Sequence, residues 1–126
     1  MLKRFKRSEK NKLVKWLNES DIATDGSHLN KHNTYLLKDS DIIGFFTFRI
    51  EHNLPSLRHF YVNKNYRSMY NARRLLNEYK NLIKKLGFNK TIISTNKEYL
   101  QKFIEYYFKS KPYSFVEGLY FYYVEV

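Results

Sequence analysis

Leu57-Arg58-His59-Phe60-Tyr61-Val62 runs into Asn63-Lys64-Asn65-Tyr66-Arg67-Ser68-Met69-Tyr70-Asn71-Ala72, and the stretch continues to Gly87. Its first six positions, rich in aromatic and β-branched residues, predict a buried strand. Beyond the polar segment, Ala72, Leu75, Leu76, Tyr79, Leu82, Ile83 and Leu86 recur at the spacing of one helical face. Arg73, Arg74, Asn77, Glu78, Lys80, Asn81, Lys84 and Lys85 fall opposite, and Gly87 closes the helix. A strand turning through a short polar loop into a helix sets the helix's unbonded N–H groups at the strand's C-terminal end. With Arg67 in the loop, that end suits an anion, and a phosphate-bearing ligand is the first expectation.

Upstream, Leu2 to Arg7 reads as a short strand, and Ser8 as the N-cap of a helix carrying Leu13, Val14, Trp16 and Leu17 to about Ser20. Asp21 to His32 is polar and reads as a loop. Asn33–Lys38 and Ile42–Ile50 are strands joined by Asp39-Ser40-Asp41, a hairpin. Gly44 within the second predicts a bulge or a close backbone approach. His52 to Ser56 turns the chain into the Leu57–Val62 strand. Downstream, Thr91–Ser94 follows a crossover helix and is expected parallel to Leu57–Val62. Asn96 caps a further helix whose buried face is Leu100, Phe103, Ile104, Tyr107 and Phe108, and which Pro112 ends. Leu119–Val126 is a last strand, with Phe115-Val116 pairing before Gly118.

The chain's 126 residues, 43% of them hydrophobic, predict one packed domain spanning 1–126. No apolar run approaches the roughly 18 residues of a membrane span. The basic start lacks the apolar core of a secretory signal, and cysteine is absent, so a cytoplasmic protein is expected. His28, His32, His52 and His59 lack metal-cluster spacing, and His28 and His32 read as solvent-facing loop residues. No Walker loop, nucleophile elbow or dinucleotide fingerprint occurs. The net charge of +11 has two readings. One is attraction to nucleotide phosphates, nucleic acid or acidic proteins; the other is a lysine-solvated surface in a sequence rich in AT-coded residues.

Val62-x-x-x-Tyr66-Arg67-x-x-Tyr70-x-Ala72 resembles the pyrophosphate loop of the GNAT superfamily of N-acetyltransferases, Val-x-Pro-x-Tyr-Arg-Gly-x-Gly-x-Gly/Ala. Lys64 stands where proline is common, Ser68 where glycine is common, and Tyr70 at the central glycine. The order of elements covers nearly the whole core of that family. The resemblance implies an α/β (α+β) fold, a mixed, mostly antiparallel central sheet with helices on both faces. It implies acetyl-CoA as cosubstrate, with no metal, and an amine acceptor that attacks the acetyl thioester directly. The cofactor-binding residues it implies are Tyr61, Val62, Asn63, Arg67, Ser68, Met69, Tyr70, Asn71, Ala72, Arg73 and Asn96. A base is needed to deprotonate the acceptor ammonium. His59 is the titratable group of suitable reference pKa on the strand, its other reading being a histidine packed on the face it shares with Leu57 and Tyr61, and Glu51 on the preceding strand is the second candidate. In the family a tyrosine commonly protonates the departing thiolate; that position here reads Ile104 or Phe103, and Tyr106 is the nearby phenol off the apolar face. The competing class is a non-catalytic binding protein of the same fold, docking on nucleic acid or an acidic protein.

Overall fold

The computed structural model describes residues 1–95, 98–109, 112, 114–116 and 118–126, for Tyr99 the backbone alone. The described residues form strands β1 (Leu2–Arg4), β2 (Thr34–Lys38), β3 (Ile42–Glu51), β4 (Leu54–Val62), β5 (Lys90–Thr95), β6 (Ser114–Val116) and β7 (Leu119–Glu125). The helices are α1 (Lys10–Glu19), α2 (Met69–Lys85) and α3 (Glu98–Phe108). The strands make one sheet in the order β1-β2-β3-β4-β5-β7-β6. The β1–β2, β2–β3, β5–β7 and β6–β7 pairs are antiparallel, and β4–β5 is parallel as expected of a crossover through α2. This is the mixed, mostly antiparallel α/β architecture expected. Two compact units divide it: Met1–Thr47 with His59–Glu78, and Phe48–Arg58 with Tyr79–Val126.

In the first unit, α1 buries Leu13 and Leu17 against a core of Phe5, Leu29, Leu36, Ile42, Phe45 and Tyr61. Ser8 does not cap this helix. A 3-10 turn over Arg7–Glu9 precedes it, and the Lys6 N–H donates to the Glu9 carboxylate at 2.9 Å. At its far end, Asp21 adopts φ +63°, its N–H donating to the Asn18 C=O at 3.1 Å and that of Ile22 to the Leu17 C=O at 2.9 Å. β1 is shorter than expected and ends at Arg4.

Both readings of Gly44 hold. The β2–β3 register shifts between Leu37, opposite Gly44, and Lys38, opposite Ile42, which leaves Ile43 as the extra residue of a bulge. A Cβ at Gly44 would lie 2.5 Å from the Tyr61 C=O and 3.1 Å from Leu75 Cδ2.

In the second unit, β4 begins three residues earlier than expected. His52 and Asn53, at φ +51° and +65°, form a two-residue turn where a five-residue one was expected. The Tyr79 hydroxyl, fully buried, shares a 2.5 Å hydrogen bond with Thr91 Oγ1, which donates to the Pro55 C=O at 3.0 Å. Phe103 and Tyr107 stack at 5.6 Å on α3, and the Tyr122 hydroxyl donates to Glu105 at 3.2 Å. α3 stops at Phe108 before a left-handed Lys109 (φ +53°), ahead of the proline expected to end it. Leu86, assigned to the buried face of α2, lies past the helix end and is 51% exposed.

Candidate active site

β4 delivers its last four residues, His59 to Val62, into the first unit. Alternation along the strand puts His59 and Tyr61 on one face. Tyr61 is buried; its ring stacks on Trp16 of α1 at 5.3 Å and touches Phe45 at 5.6 Å. Asn63 locks the strand's end. Its N–H donates to the Ile43 C=O at 2.8 Å and its Nδ2 to the Ile42 C=O at 2.9 Å, so the bulge in β3 supplies both acceptors. Its Oδ1 accepts from the Asn65 N–H at 3.2 Å, committing the whole side chain to the loop.

A 3-10 turn over Lys64–Tyr66 follows, and the Tyr66 hydroxyl donates to Asp41 at 3.3 Å. Burial, then the Asp41 charge, raises the Tyr66 phenol above its ordinary pKa. Arg67 donates Nε to the Val62 C=O at 3.0 Å and lies 5.3 Å over the Tyr61 ring, yet is exposed. Ser68 is the N-cap of α2: its Oγ accepts the Asn71 N–H at 3.1 Å and its C=O the Ala72 N–H at 3.0 Å. The N–H groups of Met69 and Tyr70 have no acceptor within the helix. The first turn carries no acidic residue, so the positive end of the helix dipole is not offset there.

Tyr70 is absent from the positive-φ residues and sits inside the helix, so its backbone needs no glycine. Its ring is 71% exposed and lies 5.7 Å from the Arg74 guanidinium. Arg74 forms two hydrogen bonds to Asp39, at 3.0 and 3.1 Å, and one to Asn71 Oδ1 at 3.2 Å. The Arg74 hydrogen bond holds the Asp39 carboxyl below its ordinary pKa, and Arg74 is raised in turn. Asn71 Nδ2 donates back to the Tyr66 C=O at 2.6 Å. Met69 and Arg73 are exposed, and Val62 and Ala72 half-buried.

His59 is half-buried. Its Nδ1 lies 2.7 Å from Thr47 Oγ1, which also accepts the His59 backbone N–H at 3.1 Å. Against its ring sits that of His28, with centroids 4.9 Å apart and planes tilted by 43°. His28 is exposed, as expected of a loop histidine, but sequence reasoning missed this partnership: an irregular loop carries no periodicity that points to a strand. Glu51 belongs to the second unit and is ion-paired with both Arg49 and Arg58. Tyr106, also in that unit, is 76% exposed on α3. Asn96 lies outside the described residues. Among the described residues, no three His, Cys, Asp or Glu side chains converge as a metal group.

The arrangement offers an anion cradle of helix N–H groups and Arg67, and on the same strand an imidazole oriented by a threonine. The model of the acetyltransferase (GNAT) family matches residues 2–110. The chain belongs to the GNAT family. Solved structures share its fold. An acetyltransferase of Staphylococcus aureus Mu50 is 18% identical, covering 99% of this chain and 98% of its own, with a TM-score of 0.72. The PaiA N-acetyltransferase of Thermoplasma acidophilum, solved in complex with coenzyme A, is 16% identical, covering 100% and 98%, at 0.73. Rv2747 of Mycobacterium tuberculosis, also in complex with CoA, is 7% identical, covering 100% and 99%, at 0.80. No curated protein matches the sequence. Against the GNAT loop pattern, Ser68 in place of glycine acts here as a helix cap, and Tyr70 in place of glycine remains helical.

Proposed function

We propose that the protein is an acyl-CoA-dependent N-acetyltransferase. The observation that carries this reading is the start of α2, where the Met69 and Tyr70 N–H groups lack helical acceptors beside the exposed Arg67. These groups would hold the pyrophosphate of acetyl-CoA, and the CoA complexes of fold neighbours support that choice of ligand.

The acceptor amine attacks the acetyl carbonyl. A C–N bond forms, the C–S bond breaks, and CoA leaves as a thiolate that takes up a proton. His59 removes the proton from the acceptor ammonium. His59 Nδ1 lies 2.7 Å from Thr47 Oγ1; in the tautomer that donates Nδ1–H to this hydroxyl, the basic lone pair is on Nε2. Glu51, paired with two guanidiniums, is the poorer base, since nearby positive charge favours the carboxylate.

Thermal unfolding with and without acetyl-CoA tests the reading. At 100 times its dissociation constant the ligand adds about 2.7 kcal/mol of stability. Arg67→Ala weakens binding by roughly 10- to 150-fold, through loss of a charge-assisted contact worth about 1.5–3 kcal/mol. A folded protein that does not respond to millimolar acetyl-CoA overturns the proposal.

A further inference from the structure

We propose that the turn between β2 and β3 braces the anion cradle, with Asp39 and Asp41 as the positioning residues that hold its two ends. This rests on the reading of the α2 start as the pyrophosphate site. The observation is a closed ring of hydrogen bonds that runs from Asp39 through Arg74, Asn71 and Tyr66 to Asp41 and back.

On the helix side, Arg74 gives Nη1 and Nη2 to the two Asp39 oxygens at 3.1 and 3.0 Å, and Nη1 also reaches Asn71 Oδ1 at 3.2 Å. Asn71 Nδ2 donates onward to the Tyr66 C=O at 2.6 Å. A guanidinium only donates and a carbonyl only accepts, so a single orientation of the Asn71 amide serves both. On the loop side, the Tyr66 hydroxyl donates to Asp41 Oδ2 at 3.3 Å. The turn itself closes the ring, the Asp39 N–H donating to the Asp41 C=O at 3.0 Å. Asp41 Oδ1 accepts the Ile42 N–H at 2.7 Å, which ties the turn to β3.

Between Tyr66 and Asn71 lie Arg67, Ser68, Met69 and Tyr70, the segment that carries the cradle. All four are exposed, so burial does little to fix them. An exposed ion pair alone contributes little to stability, but a bidentate pair within a network is the exception. A cradle fixed before its ligand arrives lowers the ordering cost of binding. The Asp39 charge is matched by Arg74, and the Met1 ammonium lies 3.8 Å from the same carboxylate. The sign of the effect separates positioning from charge. Removing an acid near an anion site relieves repulsion and tightens binding, whereas removing a positioning acid loosens it.

Amide hydrogen exchange in the intact, ligand-free chain, followed by calorimetric titration with CoA, tests this. In Asp39→Asn and in Tyr66→Phe, exchange at the Asn71 and Ala72 amides rises about fivefold, the order set by a networked pair of this kind. The Gly87 and Phe88 amides, past the other end of α2, keep their wild-type rates. Asp39→Asn also raises the Kd for CoA about fivefold. Unchanged exchange at Asn71 and Ala72, an equal rise at Gly87 and Phe88, or CoA binding as tight as in the wild type or tighter overturns the proposal. Because exchange is read without ligand, a wild-type protein that fails to bind CoA while these amides respond as expected would count against the proposed function and leave the brace standing.

Discussion

Tyr70 stands where the GNAT loop pattern has its central glycine, and on the proposed function its ring bears on whether CoA can enter. A tyrosine keeps the helix-start amide as long as its φ is negative, and the sequence alone allowed the ring either to cover the phosphate channel or to fold onto the sheet. The ring does not fold onto the sheet: it is exposed, with the Arg74 guanidinium 5.7 Å from it. Tyr70→Gly should therefore leave CoA affinity unchanged within twofold and lower stability by up to about 1 kcal/mol. Calorimetry with CoA and urea unfolding measure the two effects, and a large gain in affinity would show that the ring obstructs the loop. The amide was legible because it depends on local backbone. The ring's position was not, because Asp39, which fixes Arg74, is 35 residues away. His59 with Thr47, and His28 with His59, were hidden for the same reason: local sequence carries no record of partners brought together by the fold.

Helix ends divide along the same line. Gly87 marked the end of α2, and it adopts φ +97°, with its N–H on the Lys84 C=O at 3.0 Å and that of Phe88 on the Ile83 C=O at 3.1 Å. α1 ends in the same pattern of bonds, but Asp21 occupies the left-handed position, and an aspartate does not announce it in sequence. Asp21→Gly should raise stability by roughly 1 kcal/mol by removing the left-handed penalty of a Cβ. Chemical denaturation reads this directly, and a loss of stability would mean that the aspartate side chain contributes more than its backbone costs. At the start of α1, Ser8 gave the expected capping signal, yet the Glu9 carboxylate accepts the Lys6 N–H and is also ion-paired with Lys38 of β2. A partner 29 positions away in the chain, invisible to local reading, accompanies that choice.

Across the molecule, pH should act through its phenols. Burial raises the pKa of Tyr79, and burial followed by the Glu105 charge pushes Tyr122 up to about 12. An unfolded tyrosine ionises near 10, so below that pH both states keep their protons and the stabilisation is fully present. Above it the unfolded chain loses protons first, and stability falls as pH rises toward 12. Urea midpoints measured from pH 9 to 12 should decline, and decline less in a Tyr79→Phe/Tyr122→Phe variant; parallel curves would rule out these two groups as the cause. The tyrosine-rich pattern made a packed core legible, while the particular phenols that lose water depend on the finished fold. Strand alignment has a less visible determinant. From Ile42 to Phe48 every residue of β3 is buried, so inside-outside alternation cannot choose how this strand pairs. A slip of one position would drive the Cβ of Ile43 or Phe45 into the Tyr61 carbonyl, where only Gly44 fits. The one β3 residue without a side chain thus acts as a molecular key, rejecting misaligned chains during folding before any ligand is present.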